Sequence, residues 1–137
     1  IWALEAAWQV RRAGPGRRRV IRDQAVAGIG SSVVNAAVKS VVRRTRPDRT
    51  TLDLRAGRVP VREPTSSSFP SGHTLAAFCT AAVMADPERP AASAARFGLA
   101  GLVGLSRVHL RAHHASDVVG GMAIGLAVGA LGRRLVR

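Results

Sequence analysis

Three short polar segments hold the residues of this chain whose types and spacing could do chemistry. In order they are Lys39 with Arg46-Pro47 seven residues on, then Pro70-Ser71-Gly72-His73, then Ser106-Arg107 with His113 and Asp117 behind it. Lys39 is the only lysine beside twenty arginines, and its compact, strongly hydrated ammonium is not interchangeable with a guanidinium. On a continuous helix Arg46 would lie two turns beyond Lys39 on the same face, with a planar fork able to hold two phosphoryl oxygens. Ser71-Gly72-His73 opens an apolar stretch, where unpaired backbone amides and the helix dipole favour an anion. Gly72 permits close backbone approach, Ser71 can donate a further hydrogen bond, and His73 can hold a proton near neutral pH. A phosphate cradle, a proton donor and an oriented imidazole are what metal-free phosphomonoester hydrolysis requires.

In the third segment His113 and Asp117 are four apart. On a helix the carboxylate could accept from one ring nitrogen and leave the other to attack phosphorus. His114 stands three from Asp117 and could be paired by the same geometry, so spacing does not choose between the two histidines. Arg107 supplies another phosphate fork with Ser106 beside it. His109 has no partner at helical spacing and reads as a structural or supporting group.

The elements that must position these residues are four apolar stretches, about 20–45, 72–85, 91–107 and 114–132. All lack two-residue alternation and are long enough to prefer helix. The first ends at Arg46-Pro47, since a proline disfavours helix at the residue before it. The second starts at Pro70-Ser71, capped by Ser71 or the serines before it, and stops at Asp86-Pro87. The third begins after Pro90 and runs to Ser106-Arg107. The fourth starts near residues 112–115 and closes with Gly132 before Arg133-Arg134. If these helices run alternately up and down, all three polar segments meet on one side. The expected fold is all-α, a bundle of four to five mostly transmembrane helices forming one domain over residues 1–137.

Composition narrows the setting. Hydrophobic residues make up 47 % of the chain but aromatics only 4 %, and small residues in blocks suit closely approaching helices. At 1.5 Å per residue the second and third stretches are about 21–26 Å long, short of a ~30 Å hydrocarbon core. Asn35 and Lys39 inside the first stretch prevent it from facing lipid all round. A soluble helical bundle is the alternative. The net charge of +13 falls in the gaps between apolar stretches with no aromatics interleaved to stack bases, which argues against nucleic acid. Anionic headgroups and a phosphate substrate explain it as well. Cys79 is alone, so it can form no intrachain disulfide and is expected to be a buried thiol.

One side of the up-and-down arrangement collects Arg11, Arg12, Arg17, Arg18, Arg19, Arg22, Arg133, Arg134 and Arg137. By the positive-inside tendency that side is cytoplasmic and the polar segments face outward, although Arg43, Arg44, Arg49, Arg55, Arg58 and Arg62 lie on the proposed outer side. The connection Asp48–Phe69 is long enough to be a lid or binding loop, or a mobile linker.

Lys-x6-Arg-Pro, Pro-Ser-Gly-His and Ser-Arg-x5-His-x3-Asp closely resemble the three signature motifs of the type 2 phosphatidic acid phosphatase superfamily, which includes bacterial acid phosphatases and vanadium haloperoxidases. All three occur complete and in family order over residues 39–117. The resemblance implies that the nucleophile is His113 and not His114, that Asp117 orients it and that His73 is the general acid. It makes Lys39, Arg46, Ser71, Gly72, Ser106 and Arg107 the phosphate ligands. His109 and His114 occupy places where aromatics are frequent in the family, and Ala115 stands where proline is common.

The function so implied is a multi-pass membrane phosphatase acting on a lipid phosphate such as phosphatidate, phosphatidylglycerol phosphate or a polyprenyl phosphate or diphosphate. It would work through a phosphohistidine, with membrane lipids as partners and neither metal nor other cofactor, because Lys39, Arg46 and Arg107 supply the positive charge. The chain begins at Ile1 with an apolar run to Trp8, and family members in membranes commonly have six spans, so part of a longer protein is expected. The rivals are a soluble acid phosphatase or vanadate-dependent haloperoxidase on the same motifs, and a non-enzymatic basic protein of membrane surfaces or nucleic acid.

Overall fold

The computed structural model describes residues 14–47 and 66–136, together with the isolated positions 7 and 11. Among them are four α-helices and no strand: α1 Arg17–Val41, α2 Gly72–Val83, α3 Pro90–His109 and α4 Ala115–Leu135, with one 3-10 turn at Gly14–Gly16 before α1. The apolar start Ile1–Trp8, apart from Ala7, and residues 48–65 of the long connection lie outside the described residues.

The short helix α2 is the axis of the bundle, and its burial follows from its composition. Thr74, Leu75, Ala77, Phe78, Cys79, Ala81, Ala82 and Val83 are all buried, so nearly every face of α2 meets another helix. Its closest partner is α4, where Gly121, Gly125 and Gly129 recur every four residues and form one flat stripe. A Cβ at these three positions would stand 2.7 Å from the Ser71 carbonyl, 2.5 Å from the Leu75 carbonyl and 2.7 Å from the Cys79 carbonyl. The two backbones therefore touch, and only glycine allows it. On the α1 side Ala27, Cys79 and Val83 form one apolar cluster with Val128 against it. On the α3 side Ala77, Phe78 and Ala100 form another, with the Phe78 and Phe97 rings 6.4 Å apart. Cys79 is a buried free thiol whose Sγ lies 3.7 Å from the Ala27 carbonyl.

While the interior is lined by small residues, large apolar side chains face out. Ile29, Val33, Leu102, Leu105, Val119 and Leu131 are exposed along α1, α3 and α4. Among the described residues α4 is the helix long and apolar enough to cross a membrane, whereas the apolar α2, at 12 residues, spans about 18 Å.

Three boundaries differ from the sequence-based expectation. Helix α1 stops at Val41, and residues 42–47 are not helical, so Arg46 does not share a helical face with Lys39. The cause is pairing with a distant segment. Ser68 N–H donates to the Arg44 carbonyl at 2.9 Å, and the Ser68 hydroxyl donates to the Thr45 carbonyl at 2.9 Å. These bonds replace the helical ones that residues 44 and 45 would otherwise make. Helix α4 does not stop at Gly132 but continues to Leu135, because Gly132 is buried where a Cβ would meet Val26 at 3.0 Å. Ser71 is the residue before α2, yet its side chain makes no cap; its Oγ accepts from the Thr74 hydroxyl at 2.9 Å.

Candidate active site

The ends of α1 and α3 and the starts of α2 and α4 meet on one side of the bundle, with the extended residues 42–47 and the serines 66–68 between them. The Ser71 N–H donates to the Asp117 carbonyl at 3.0 Å, joining the start of α2 to the first turn of α4. Lys39 donates from Nζ to the Ser67 carbonyl at 2.9 Å. Arg46 donates from Nη1 to the Ala112 carbonyl at 2.9 Å and from Nη2 to the Ser66 hydroxyl at 3.3 Å. His73 stands in the first turn of α2, where partial desolvation, ahead of the nearby charges of Arg107, Lys39 and Arg46, lowers its pKa below that of an ordinary imidazole. All three polar segments therefore converge.

His113 is nearly buried in the turn between α3 and α4. That turn is fixed by the Arg107 carbonyl, which accepts from Ala112 N–H at 3.0 Å and His113 N–H at 3.3 Å, and by Arg111 at φ 48°, a left-handed conformation unusual for a side chain of this size. The expected His113–Asp117 hydrogen bond is not formed, since Nδ1 stands 3.7 Å from Oδ2. The Ser68 carbonyl lies closer, 2.7 Å from Nδ1. A carbonyl only accepts, so Nδ1 carries the proton and Nε2 presents its lone pair. Arg46 Nη1 stands 3.4 Å from that Nε2, so a phosphoryl group approaching the lone pair meets this guanidinium beside the ring.

Asp117 is fully buried and committed elsewhere. Oδ1 accepts from Arg44 Nη1 at 2.9 Å, and Oδ2 accepts from the His114 N–H at 2.8 Å. His114 in turn holds the start of α4 through its main chain, its carbonyl accepting from the Asp117 N–H at 3.0 Å, which gives this second histidine a structural place. Burial, ahead of the Arg46 and Lys39 charges, lowers the His113 pKa below that of an ordinary imidazole; the Ser68 hydrogen bond and the Asp117 carboxylate oppose this without reversing it. The ring is therefore held neutral, the form in which Nε2 is a nucleophile.

The other expected site residues stand in different relations to the convergence. At Gly72 α1 comes close, since a Cβ there would meet the Asn35 carboxamide at 3.1 Å. Ser71 is fully buried, Ser106 turns its hydroxyl back to the Val103 carbonyl at 2.7 Å, and Arg107 Nε donates to Ser106 Oγ at 3.2 Å. His109 is exposed at the end of α3. Two participants were not visible as such in the sequence: the Ser68 carbonyl, a main-chain group with no side-chain signature, and Arg44, which looked like one of several scattered outer arginines. The signal for Arg44 was its position two residues before Arg46, in the short segment that leads from α1 to Pro47. Among the described residues no group of three or more His, Cys, Asp or Glu side chains gathers as a metal site would require.

Comparison with known proteins gives this constellation a family. The model of the PAP2 superfamily matches residues 23–137. The chain belongs to the PAP2 superfamily. This PAP2 chain is 36 % identical over 118 residues to decaprenylphosphoryl-5-phosphoribose phosphatase of Mycobacterium tuberculosis, a match that covers 84 % of the chain and 61 % of the relative. It is 32 % identical over 104 residues to phosphatidylglycerophosphatase B of Bacillus subtilis, covering 69 % of the chain and 47 % of that protein. The chain thus spans about half to three-fifths of the length of these relatives. Its fold matches the crystal structure of a transmembrane PAP2 type phosphatidylglycerolphosphate phosphatase from Bacillus subtilis with a TM-score of 0.61 at 28 % identity, over 85 % of the chain and 58 % of that structure.

Proposed function

We propose that this chain works as a membrane lipid phosphate phosphatase through a phosphohistidine intermediate. Lys39, Arg46 and Arg107, with the first-turn amides at Gly72 and His73, hold the phosphoryl group, while Ser71 and Ser106, whose hydroxyls are engaged within the bundle, support this cradle from behind. The Nε2 lone pair of His113 attacks phosphorus in line. As the N–P bond forms, the P–O bond to the lipid breaks, and the departing oxygen takes a proton from His73. The neutral His73 then accepts a proton from water as its oxygen attacks phosphorus, the P–N bond breaks, and inorganic phosphate leaves with His113 restored. Asp117 steadies the imidazole from behind.

The observation that carries this reading is the imidazole of His113, with Nδ1 committed to the Ser68 carbonyl and Nε2 3.4 Å from the Arg46 guanidinium. A lipid substrate is favoured by the exposed apolar side chains along α1, α3 and α4 and by the relatives. One is named for a polyprenyl-linked phosphate, one for phosphatidylglycerophosphate, and a third, 40 % identical over 70 residues, for lipid A 1-phosphate. These substrates share a terminal phosphate beside an apolar tail. The arginines at the opposite end of the bundle, Arg17–Arg19, Arg22, Arg133 and Arg134, favour a multi-pass arrangement with the site on the extracytoplasmic side.

The test is phosphate release from phosphatidate, phosphatidylglycerol phosphate, a polyprenyl phosphate and a polyprenyl diphosphate in detergent micelles. His113→Ala and His73→Ala should each lower turnover by at least ~10²-fold, the scale for a lost nucleophile or proton-transfer group. Release from none of these lipids by the unsubstituted protein, or undiminished release by His113→Ala, would overturn the reading.

A further inference from the structure

We infer that Arg44 is a positioning residue for the reaction, holding both supports of the His113 ring at once. Its side chain fixes Asp117: Nη1 lies 2.9 Å from Asp117 Oδ1 and 2.7 Å from the Ser116 hydroxyl. Its main chain fixes the other support, because the Arg44 carbonyl accepts from Ser68 N–H at 2.9 Å and the Arg44 N–H donates to Ser67 Oγ at 3.3 Å. The Ser68 carbonyl that accepts the hydrogen bond from His113 Nδ1 therefore hangs on the same residue that anchors the carboxylate behind the ring. This inference rests on the proposed role of His113.

The electrostatics require such a partner. Asp117 is fully buried, and an unpaired buried carboxylate is costly. His113 cannot neutralise it at rest, since its ring is held neutral and its Nδ1 is 3.7 Å away. Arg44 is the cation paired with Asp117 among the described residues. With Arg44 in place the carboxylate is paired and held in orientation behind the ring, where it faces the positive charge that attack on phosphorus develops on the imidazole. Arg44 touches neither Nε2 nor the first turn of α2, so its effect reaches the substrate only through Asp117 and His113.

Hydrolysis of phosphatidate in detergent micelles by purified Arg44→Gln, Arg44→Lys, Asp117→Asn and the double variant Arg44→Gln/Asp117→Asn separates this from a merely structural role. The expected result is a 10- to 100-fold loss of kcat in Arg44→Gln with KM within about threefold, because the group steadies the nucleophile and does not bind substrate. Arg44→Lys should recover activity to within about tenfold of the parent by restoring the charge. Since both residues act as one unit, the double variant should match Asp117→Asn within about threefold. Removing the buried carboxylate also relieves the uncompensated charge, so if Arg44→Gln does not fold, the comparison of the double variant with Asp117→Asn decides. Losses that multiply, or an Arg44→Gln enzyme within twofold of the parent while His113→Ala is inactive, overturn the inference alone. An active His113→Ala enzyme overturns the reading beneath it.

Discussion

Adding one methyl group at Gly125 should damage both stability and activity. A Cβ there would stand 2.5 Å from the Leu75 carbonyl oxygen and 3.2 Å from both the Cys79 nitrogen and the Leu75 carbonyl carbon. Ordinary contact begins near 3.4 Å, so α2 and α4 must part by most of an ångström, and every atom in the way is backbone that cannot rotate aside. Overpacking of this kind costs about 1–3 kcal/mol. The better helix propensity of alanine returns up to about 1 kcal/mol, leaving a net loss of up to about 2 kcal/mol against the parent and the full cost of about 1–3 kcal/mol against a control that shares the gain. Gly28 supplies the control, because a Cβ there meets nothing within 4 Å and only the propensity gain applies. Activity should fall further than stability. Separating the helices strains the Ser71–Asp117 link between the start of α2 and the turn carrying His113, and a 1 Å misplacement can cost about 10²-fold in rate. Thermal unfolding in detergent, followed by loss of the monodisperse size-exclusion peak, with phosphate release on the same samples, measures both. A Gly125→Ala protein as stable and as active as Gly28→Ala would refute the close-packing argument.

Three other outcomes are expected. Because the His113 pKa is lowered, the acid limb of kcat/KM should lie below pH 6.5, the usual imidazole midpoint, and a limb above it in a pH–rate profile would contradict a buried neutral nucleophile. The same shift makes the unfolded chain take up the proton first, so this group's contribution to stability is present above about pH 6.5 and is lost as pH falls through the lowered folded value. His114→Ala should change stability by no more than about 0.5 kcal/mol, since His114 holds the start of α4 through its main chain, and should stay within tenfold of parent turnover; a loss as deep as that of His113→Ala would show the wrong histidine has been assigned. Arg111→Gly should raise the unfolding midpoint by relieving a residue held at φ 48°, worth about 1 kcal/mol, and a lowered midpoint would mean that the arginine side chain outweighs the strain.

Helices α2 and α3 were legible because their boundaries are written in local terms: prolines at 70, 87 and 90 flanking apolar runs. The convergence of the polar segments followed from alternating direction. What escaped was decided at a distance. The extended run after Val41 depends on Ser68, more than twenty residues away, and no local feature marks it. The Gly132 stop was overridden by packing against Val26 on another helix. A four-residue spacing correctly brought His113 near Asp117 but could not reveal that a backbone carbonyl stands closer. The glycine repeat at 121, 125 and 129 was present in the sequence as small residues, though its meaning required the α2 carbonyls it faces.

The central claim is that phosphorus passes through His113. Rapid quenching of the protein with a lipid phosphate labelled in its terminal phosphoryl group, followed by peptide mapping under alkaline conditions, tests it directly. The predicted result is an acid-labile, base-stable label on the peptide containing His113, absent in His113→Ala. A label on any other residue, or turnover by His113→Ala at the parent rate, would contradict the account.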